Sequence, residues 1–229
     1  LWQQRLPAAL PGASSGRARL VVYFYRGKLA YMNDPLLQPL LNAIAAGDDE
    51  ATEAEVANLG ALDGVAVSHL AHLSAAGDDD QRWWATRALA ELAENAPAQR
   101  DQIIPLLLAA LNDPDDSIRC VAALGLGQAQ AASAIPALTL LLADPSGWVR
   151  GAAANALALL GEPAVPALGE ALQDPREGVR VRAAYALHRI KSIQSARWLF
   201  PALNDPNHIV HTYAYETLEE MGLLTTVLV

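Results

Sequence analysis

The stretch ADPSGWVRGAAANALALLG, residues 143–161, decides how the whole chain is read. It joins Asp144-Pro145 to an arginine six residues after the aspartate, Arg150, and then to a run in which alanine fills nearly every core-facing step. The same phrase recurs. Asp-Pro begins at Asp113, Asp144, Asp174 and Asp205, at spacings of 31, 30 and 31 residues. Six residues after each come Arg119, Arg150, Arg180 and His211, and thirteen after each come Leu126, Leu157, Leu187 and Leu218. Two weaker copies precede them, because AAGDDEATEAEVANLG (45–60) aligns without gaps on AAGDDDQRWWATRALA (75–90). A fixed period of this kind signals a repeat array, here of six units.

Each unit reads as two helices. The first carries Leu and Ala at helical spacing, as in AIPALTLLLA (134–143), and ends at Asp-Pro, since proline removes a backbone donor and disfavours helix in the residue before it. The aspartate is expected to cap the second helix. In that second helix Ala85, Ala122, Ala153, Ala183 and Ala214 share one position, with a leucine four residues on. Alanine lets neighbouring helices approach closely and leucine fills the seam between units. One helix pair has no way to bury both faces, so the pairs must stack into a solenoid.

This pattern resembles the HEAT repeat in its short bacterial form, the phycobilisome-lyase HEAT-like repeat, whose signature is Asp-Pro, four residues, Arg, and an Ala-rich stretch ending in Ala-Leu. Residues 113–126, 144–157 and 174–187 match it closely, 205–218 has His211 for the arginine, and the first two units lack Asp-Pro. Pro105, Pro136 and Pro166 fit the family's kinked first helix. The resemblance implies an all-α, right-handed α-α superhelix of about six helix pairs over 34–222. It also implies that Asp113, Arg119, Asp144, Arg150, Asp174 and Arg180 form a structural ladder between units.

Composition agrees with helices. Hydrophobic residues make up 52% of the 229, mostly Ala and Leu, with only two Phe. Before the array, 1–18 reads as a Pro, Gly, Ser and Ala-rich linker and RLVVYFYRGKLAYMND (19–34) as a β-hairpin or extended arm; the arm ends near 33, and 223–229 is a tail. Leu1 is not methionine, which leaves room for a processed leader. Net charge is −9, and it is uneven: residues 1–33 hold five Arg or Lys and no acid, whereas 34–80 hold ten Asp or Glu and no base. That balance opposes a nucleic-acid backbone binder, including one like the HEAT-like glycosylases. No apolar run reaches the ~20 residues of a membrane span. One cysteine, Cys120, forms no internal disulfide, which fits a cytoplasmic chain.

Catalytic signals are lacking. There is no Gly-rich phosphate loop, nucleophile elbow, CxxC pair or HExxH. His69 with His72, and His208 with His211, share helix faces without a third ligand at a fixed offset, so no metal or cofactor is expected. No histidine is followed by Glu, which sets aside the iron-binding HEAT hydroxylases. The resemblance to HEAT arrays implies that second helices line a concave side, and the working surface is expected there. The position five residues after the ladder arginine faces away from the seam, giving Ala57, Arg87, Leu124, Asn155, Tyr185 and Glu216. Trp83, Trp84, Arg182, His188, Arg189 and Tyr213 flank that stripe, with Glu219 and Glu220, over a floor of Cys120, Gly127, Gly151 and Ala158. Aromatic residues and arginine are what interaction hot spots use. The expected function is a non-enzymatic scaffold binding a protein or peptide partner. The alternative is a phycobilin lyase-like enzyme or chaperone handling a linear tetrapyrrole on a partner protein.

Overall fold

The computed structural model describes residue 35 and residues 37–59 and 65–224. The described residues form α-helices, short 3-10 turns and connecting turns, with no strand among them. In chain order the helices are α1 (Gln38–Ala46), α2 (Asp49–Leu59), α3 (Val65–Ala76), α4 (Asp79–Asn95), α5 (Arg100–Ala110), α6 (Asp116–Gln128), α7 (Ile135–Leu140), α8 (Gly147–Leu160), α9 (Val165–Ala171), α10 (Glu177–Ile190), α11 (Ala196–Ala202) and α12 (His208–Glu220). Odd-numbered helices open each hairpin and even-numbered helices close it. The expected hairpin or arm at 19–34, the linker before it and most of the tail lie outside the described residues.

Even helices form one continuous row, each packing on the next, and they touch one another more extensively than odd helices do. The cause is side-chain size. Ala85, Ala122, Ala153, Ala183 and Ala214 are fully buried, as are Leu126, Leu157, Leu187 and Leu218, with Leu89 nearly so. Each such leucine contributes about 1.5–3 kcal/mol by leaving water. Glycine brings the middle of the row closer still: a Cβ on Gly127 would lie 2.7 Å from the Ala156 Cα, and one on Gly125 would lie 2.5 Å from the Ala90 Cβ. Because the even helices approach one another more closely, their row is the inner side of the array.

The prolines sit where the missing N–H is tolerated. Pro136 and Pro166 occupy the first turns of α7 and α9, just after 3-10 turns at Ala132–Ala134 and Glu162–Ala164, while Pro105 and Pro201 lie inside α5 and α11.

The Asp-Pro aspartates do not cap the following helices, contrary to the expectation above. The N-cap residues are Asp115, Ser146, Arg176 and Asn207, two residues downstream. Proline holds the preceding aspartate in an extended conformation, too far upstream to reach the first helical N–H groups. Its carboxylate instead closes the turn, accepting the backbone N–H of Asp115, Ser146, Arg176 or Asn207 at 2.8–2.9 Å. Where Asp-Pro is lacking, Asp78 and Gln81 make a capping box at the start of α4.

The same carboxylate receives an arginine from the preceding unit. Arg119 donates from Nε and Nη2 to both Asp144 oxygens, each at 3.0 Å, and Arg180 grips Asp205 in the same way at 2.7 and 3.1 Å. Arg82, which the repeat register puts at the same position, grips Asp113 at 3.0 and 3.2 Å. Arg119 Nη1 also donates to the Asp113 and Pro114 carbonyls, so one guanidinium ties the turn of its own unit to the next. The expected rung from Arg150 to Asp174 is missing. Arg150 donates to the Asp144 and Pro145 carbonyls, while Asp174 is taken by Arg176 at 2.8 and 2.9 Å. Only this turn has a long cation two residues after the aspartate, and it outcompetes the more distant Arg150. Secondary rungs join the caps: Ser146 Oγ donates to Asp116 at 2.6 Å and Asn207 bonds Glu177.

The rungs are largely withdrawn from water, with side-chain exposures of 12% for Arg119 and 6% for Asp144. Burial alone would raise the Asp144 carboxyl, but hydrogen bonds from Arg119 and the Ser146 N–H outweigh it and hold the group below the ordinary carboxylate range. The same balance holds for Asp205 with Arg180 and Asn207. Hydrogen bonds from Arg176 bring Asp174 down to about 2, although Arg176 is 63% exposed and water screens that pair.

Two tests follow from the ladder. Arg119→Met leaves Asp144 without its cation and is expected to lower unfolding free energy by about 3–5 kcal/mol, whereas Arg150→Met loses only carbonyl contacts and costs about 1–3 kcal/mol; urea titrations giving equal losses would contradict the missing rung. A carboxyl lowered on folding stabilises the native state above its unfolded pKa near 4 and loses that contribution as pH falls toward the folded value. Urea midpoints should therefore drop between about pH 4 and pH 2, and less steeply in Asp144→Ala.

Candidate functional site

The even helices leave part of their surface uncovered, and its shape follows from the side chains at four places around the ladder position. Counting from Arg82, Arg119, Arg150 and Arg180, the positions two before and one, two and five after lie on one stripe of each helix. Along α6, α8 and α10 that stripe encloses a groove of about 650 Å³, lined by Cys120, Leu124, Gly147, Trp148, Gly151, Ala152, Asn155 and Arg182. The floor is low because Gly151 and Ala152 have almost no side chain, and a Cβ on Gly151 would meet no heavy atom within 4 Å. Trp148 stands at the rim, 83% exposed. A large aromatic ring left this far in water is an unfilled contact rather than a core element.

Beside this groove lies a network across the last units. Tyr185 donates from its hydroxyl to Asn155 Oδ1 at 2.9 Å and accepts from Arg189 Nη1 at 3.0 Å. Its ring meets Tyr213 edge-on at 5.8 Å, and Tyr213 in turn lies 5.4 Å from the His188 ring. His188 Nδ1 is 3.1 Å from the Thr217 hydroxyl, which bonds back to the Tyr213 carbonyl. This fixed network meets the groove at Asn155, which lines it.

A second depression of about 580 Å³ lies over α2 and α4, at the same register positions. It is lined by Asp49, Glu50, Glu53, Asp80, Trp83 and Trp84. Trp83 and Trp84 meet edge-on at 4.7 Å. Arg87 is drawn aside by Glu53 at 2.6 Å and Glu91 at 2.9 Å; burial works against its charge, and these carboxylates still raise its pKa.

The structure thus sorts the residues expected at the working surface. Leu124, Asn155 and Arg182 line one groove, and Tyr185, His188, Arg189 and Tyr213 form the adjoining network through Asn155. Trp83 and Trp84 line the other, acidic depression, where Arg87 pairs with Glu53, and Trp84 is only 9% exposed, its ring being part of the core. Glu216 is exposed on α12. Gly127 is not groove floor, because it is buried against Ala156. Trp148 was missed. It lies one helical turn before Ala152 and two before Asn155 on the same stripe, and the count began only after the ladder arginine.

Chemically the groove is quiet. Burial pushes the Cys120 thiol up, Asp116 adds to this, and Arg119 only partly opposes it, so the thiol stays protonated near neutral pH. Among the described residues no cluster of three or more His, Cys, Asp or Glu is arranged to hold a metal ion, and no helix is long and apolar enough to cross a membrane.

Comparison with known proteins agrees with this architecture. Residues 104–187 match the model for HEAT repeats, and residues 81–113 match the PBS lyase HEAT-like repeat. Residues 81–187 are thus HEAT-like repeats, and they include every residue that lines the groove. The solved structure of E. coli YibA is 22% identical with a TM-score of 0.52, covering 94% of this chain and 78% of that one. The archaeal HEAT-like repeats protein from Thermococcus onnurineus NA1 is 16% identical with a TM-score of 0.50, covering 89% and 83%. Both likenesses concern the fold alone. The complex of CpcE and CpcF of phycocyanin lyase from Nostoc sp. PCC7120 is 20% identical over 96% of this chain and 81% of that one, at a TM-score of 0.46, too loose to bear on function. No curated protein matches the chain in sequence.

Close approach and open floor can be told apart by mutation. Gly127→Ala is expected to cost about 1–3 kcal/mol by forcing Ala156 aside. Gly151→Ala should be neutral or stabilising by up to about 1 kcal/mol, since helix propensity improves and nothing is in the way. Thermal melts ranking the two in the opposite order would contradict the placement of the groove.

Proposed function

We propose that the even-helix face is a docking groove for a partner protein or peptide and that the chain is a non-enzymatic scaffold. One observation carries this reading: a groove crossing α6, α8 and α10, with a floor of glycine and alanine and the ring of Trp148 left in water at its rim. An extended or helical segment laid across three units would cover that ring, and aromatic anchors of this kind dominate binding energy. The walls are fixed by hydrogen bonds and stacked helices, so little order has to be gained on binding. The finer picture attached to this reading is a right-handed superhelix of about six helix pairs with an N-terminal hairpin or arm. One cysteine and no need of disulfides suit a cytoplasmic scaffold.

Gly151→Leu tests the reading because it fills the groove with a side chain that the open space accommodates. Affinity capture from the host lysate is expected to retain a defined protein on wild type and on Leu140→Ser, whose exposed leucine is on an odd helix, but at least tenfold less of it on Gly151→Leu. Equal retention by all three would move the docking surface elsewhere. Uptake of a bilin, seen as a shifted visible absorption band and blocked by Gly151→Leu, would favour the lyase-like alternative.

A further inference from the structure

Among the described arginines, Arg182 alone makes no side-chain hydrogen bond, ion pair or ring contact. Arg82, Arg119, Arg176 and Arg180 hold Asp-Pro aspartates, and Arg87 holds Glu53 and Glu91. Arg100 and Arg150 bond carbonyls, Arg189 donates to Tyr185, and Arg197 lies over the Trp198 ring at 3.7 Å. Arg182 is partly buried and lines the groove with Trp148, Leu124 and Asn155. No carboxylate lines that groove, and the equivalent positions on the adjacent even helices are Ala152 and Tyr213. A guanidinium partly removed from water, with apolar neighbours and no counter-charge, is an unfilled anion site in a chain of net charge −9.

We infer that the groove recognises an extended partner segment in which an acidic side chain lies beside an aromatic or aliphatic one. The carboxylate takes the Arg182 fork, a charge-assisted pair strengthened by the apolar walls. The apolar side chain covers Trp148 over the open floor at Gly151. The other depression on this face discriminates against the same carboxylate. Asp49, Glu50, Glu53 and Asp80 repel an acidic residue there, so the partner's carboxylate belongs over α8 and α10 rather than over α2 and α4. This inference rests on the docking reading above and adds the partner's chemistry to it.

The test uses the full chain and random heptapeptide libraries displayed on phage, one held at both ends and one with a free carboxyl terminus. On wild type the first library should be enriched in Asp or Glu within three positions of an aromatic or aliphatic residue. On Arg182→Gln, checked for wild-type circular dichroism, the acidic enrichment should vanish while the apolar one remains. In a selected peptide, Glu→Gln should weaken binding roughly tenfold or more on wild type and less than twofold on Arg182→Gln. Acidic enrichment that survives Arg182→Gln, or peptides without an acid, would overturn the inference and leave the docking reading standing. Enrichment only with free carboxyl termini would overturn it too, by moving the anion to a chain end. A folded wild type that enriches nothing from either library would defeat the docking reading and the inference together.

Discussion

The close approach of successive even helices governs everything else in this molecule. Alanine and glycine at the contact positions let backbones come near, and leucine then closes each seam from the side. Packing of this kind has no directional preference of its own, and a row of smooth helices would slide. The guanidinium clamp removes that freedom. Arg119 bonds the Asp113 and Pro114 carbonyls of its own turn and both oxygens of Asp144 in the next, so a single planar group fixes the offset between units. Asp144 contributes from the other side, because the oxygen that meets Arg119 Nη2 also accepts the Ser146 N–H and shapes the turn.

The groove is a consequence of that constraint. Helices held at close and regular spacing put the same register position of each unit side by side, so residues about thirty apart in sequence become neighbours in space. Tyr185 reaches Asn155 and His188 reaches Thr217 for this reason. Small residues that permit close approach in the interior also leave the outward floor shallow at Gly151 and Ala152. Stability and recognition therefore draw on the same alanine-rich helices, with the division set by which way each position points.

Most of this was legible in the sequence. The register of Asp-Pro, arginine and leucine points to the helical pairs and the seam, while the resemblance to HEAT repeats put the second helices on the inner side. Four features were not read, each for a local reason. The aspartates were expected to cap helices, but the proline after each one shifts it upstream of the helix start. The Arg150 rung fails because Arg176 sits two residues after Asp174, where the other turns carry Asp115, Ser146 and Asn207; that difference is visible in the sequence, but its effect depends on how far a guanidinium reaches. Trp148 lies before the ladder arginine rather than after it, and a stripe counted only forward passes it by. Arg82 fell in the ladder register of a unit without Asp-Pro, where the partner comes from the following unit.

The missing rung also divides the array. Between α8 and α10 no arginine clamp joins the turns, whereas Arg82 and Arg119 join the units from α4 to α8. In a linear array whose stability is a sum of nearest-neighbour terms, a weak junction should show itself as a step. Native-state hydrogen exchange on the full chain measures this directly. The account predicts that α4, α6 and α8 share the highest opening free energy and that protection falls at the junction from α8 to α10. Uniform protection across all even helices, or a step inside the clamped block from α4 to α8, would contradict the claim that the guanidinium clamps hold the array in register.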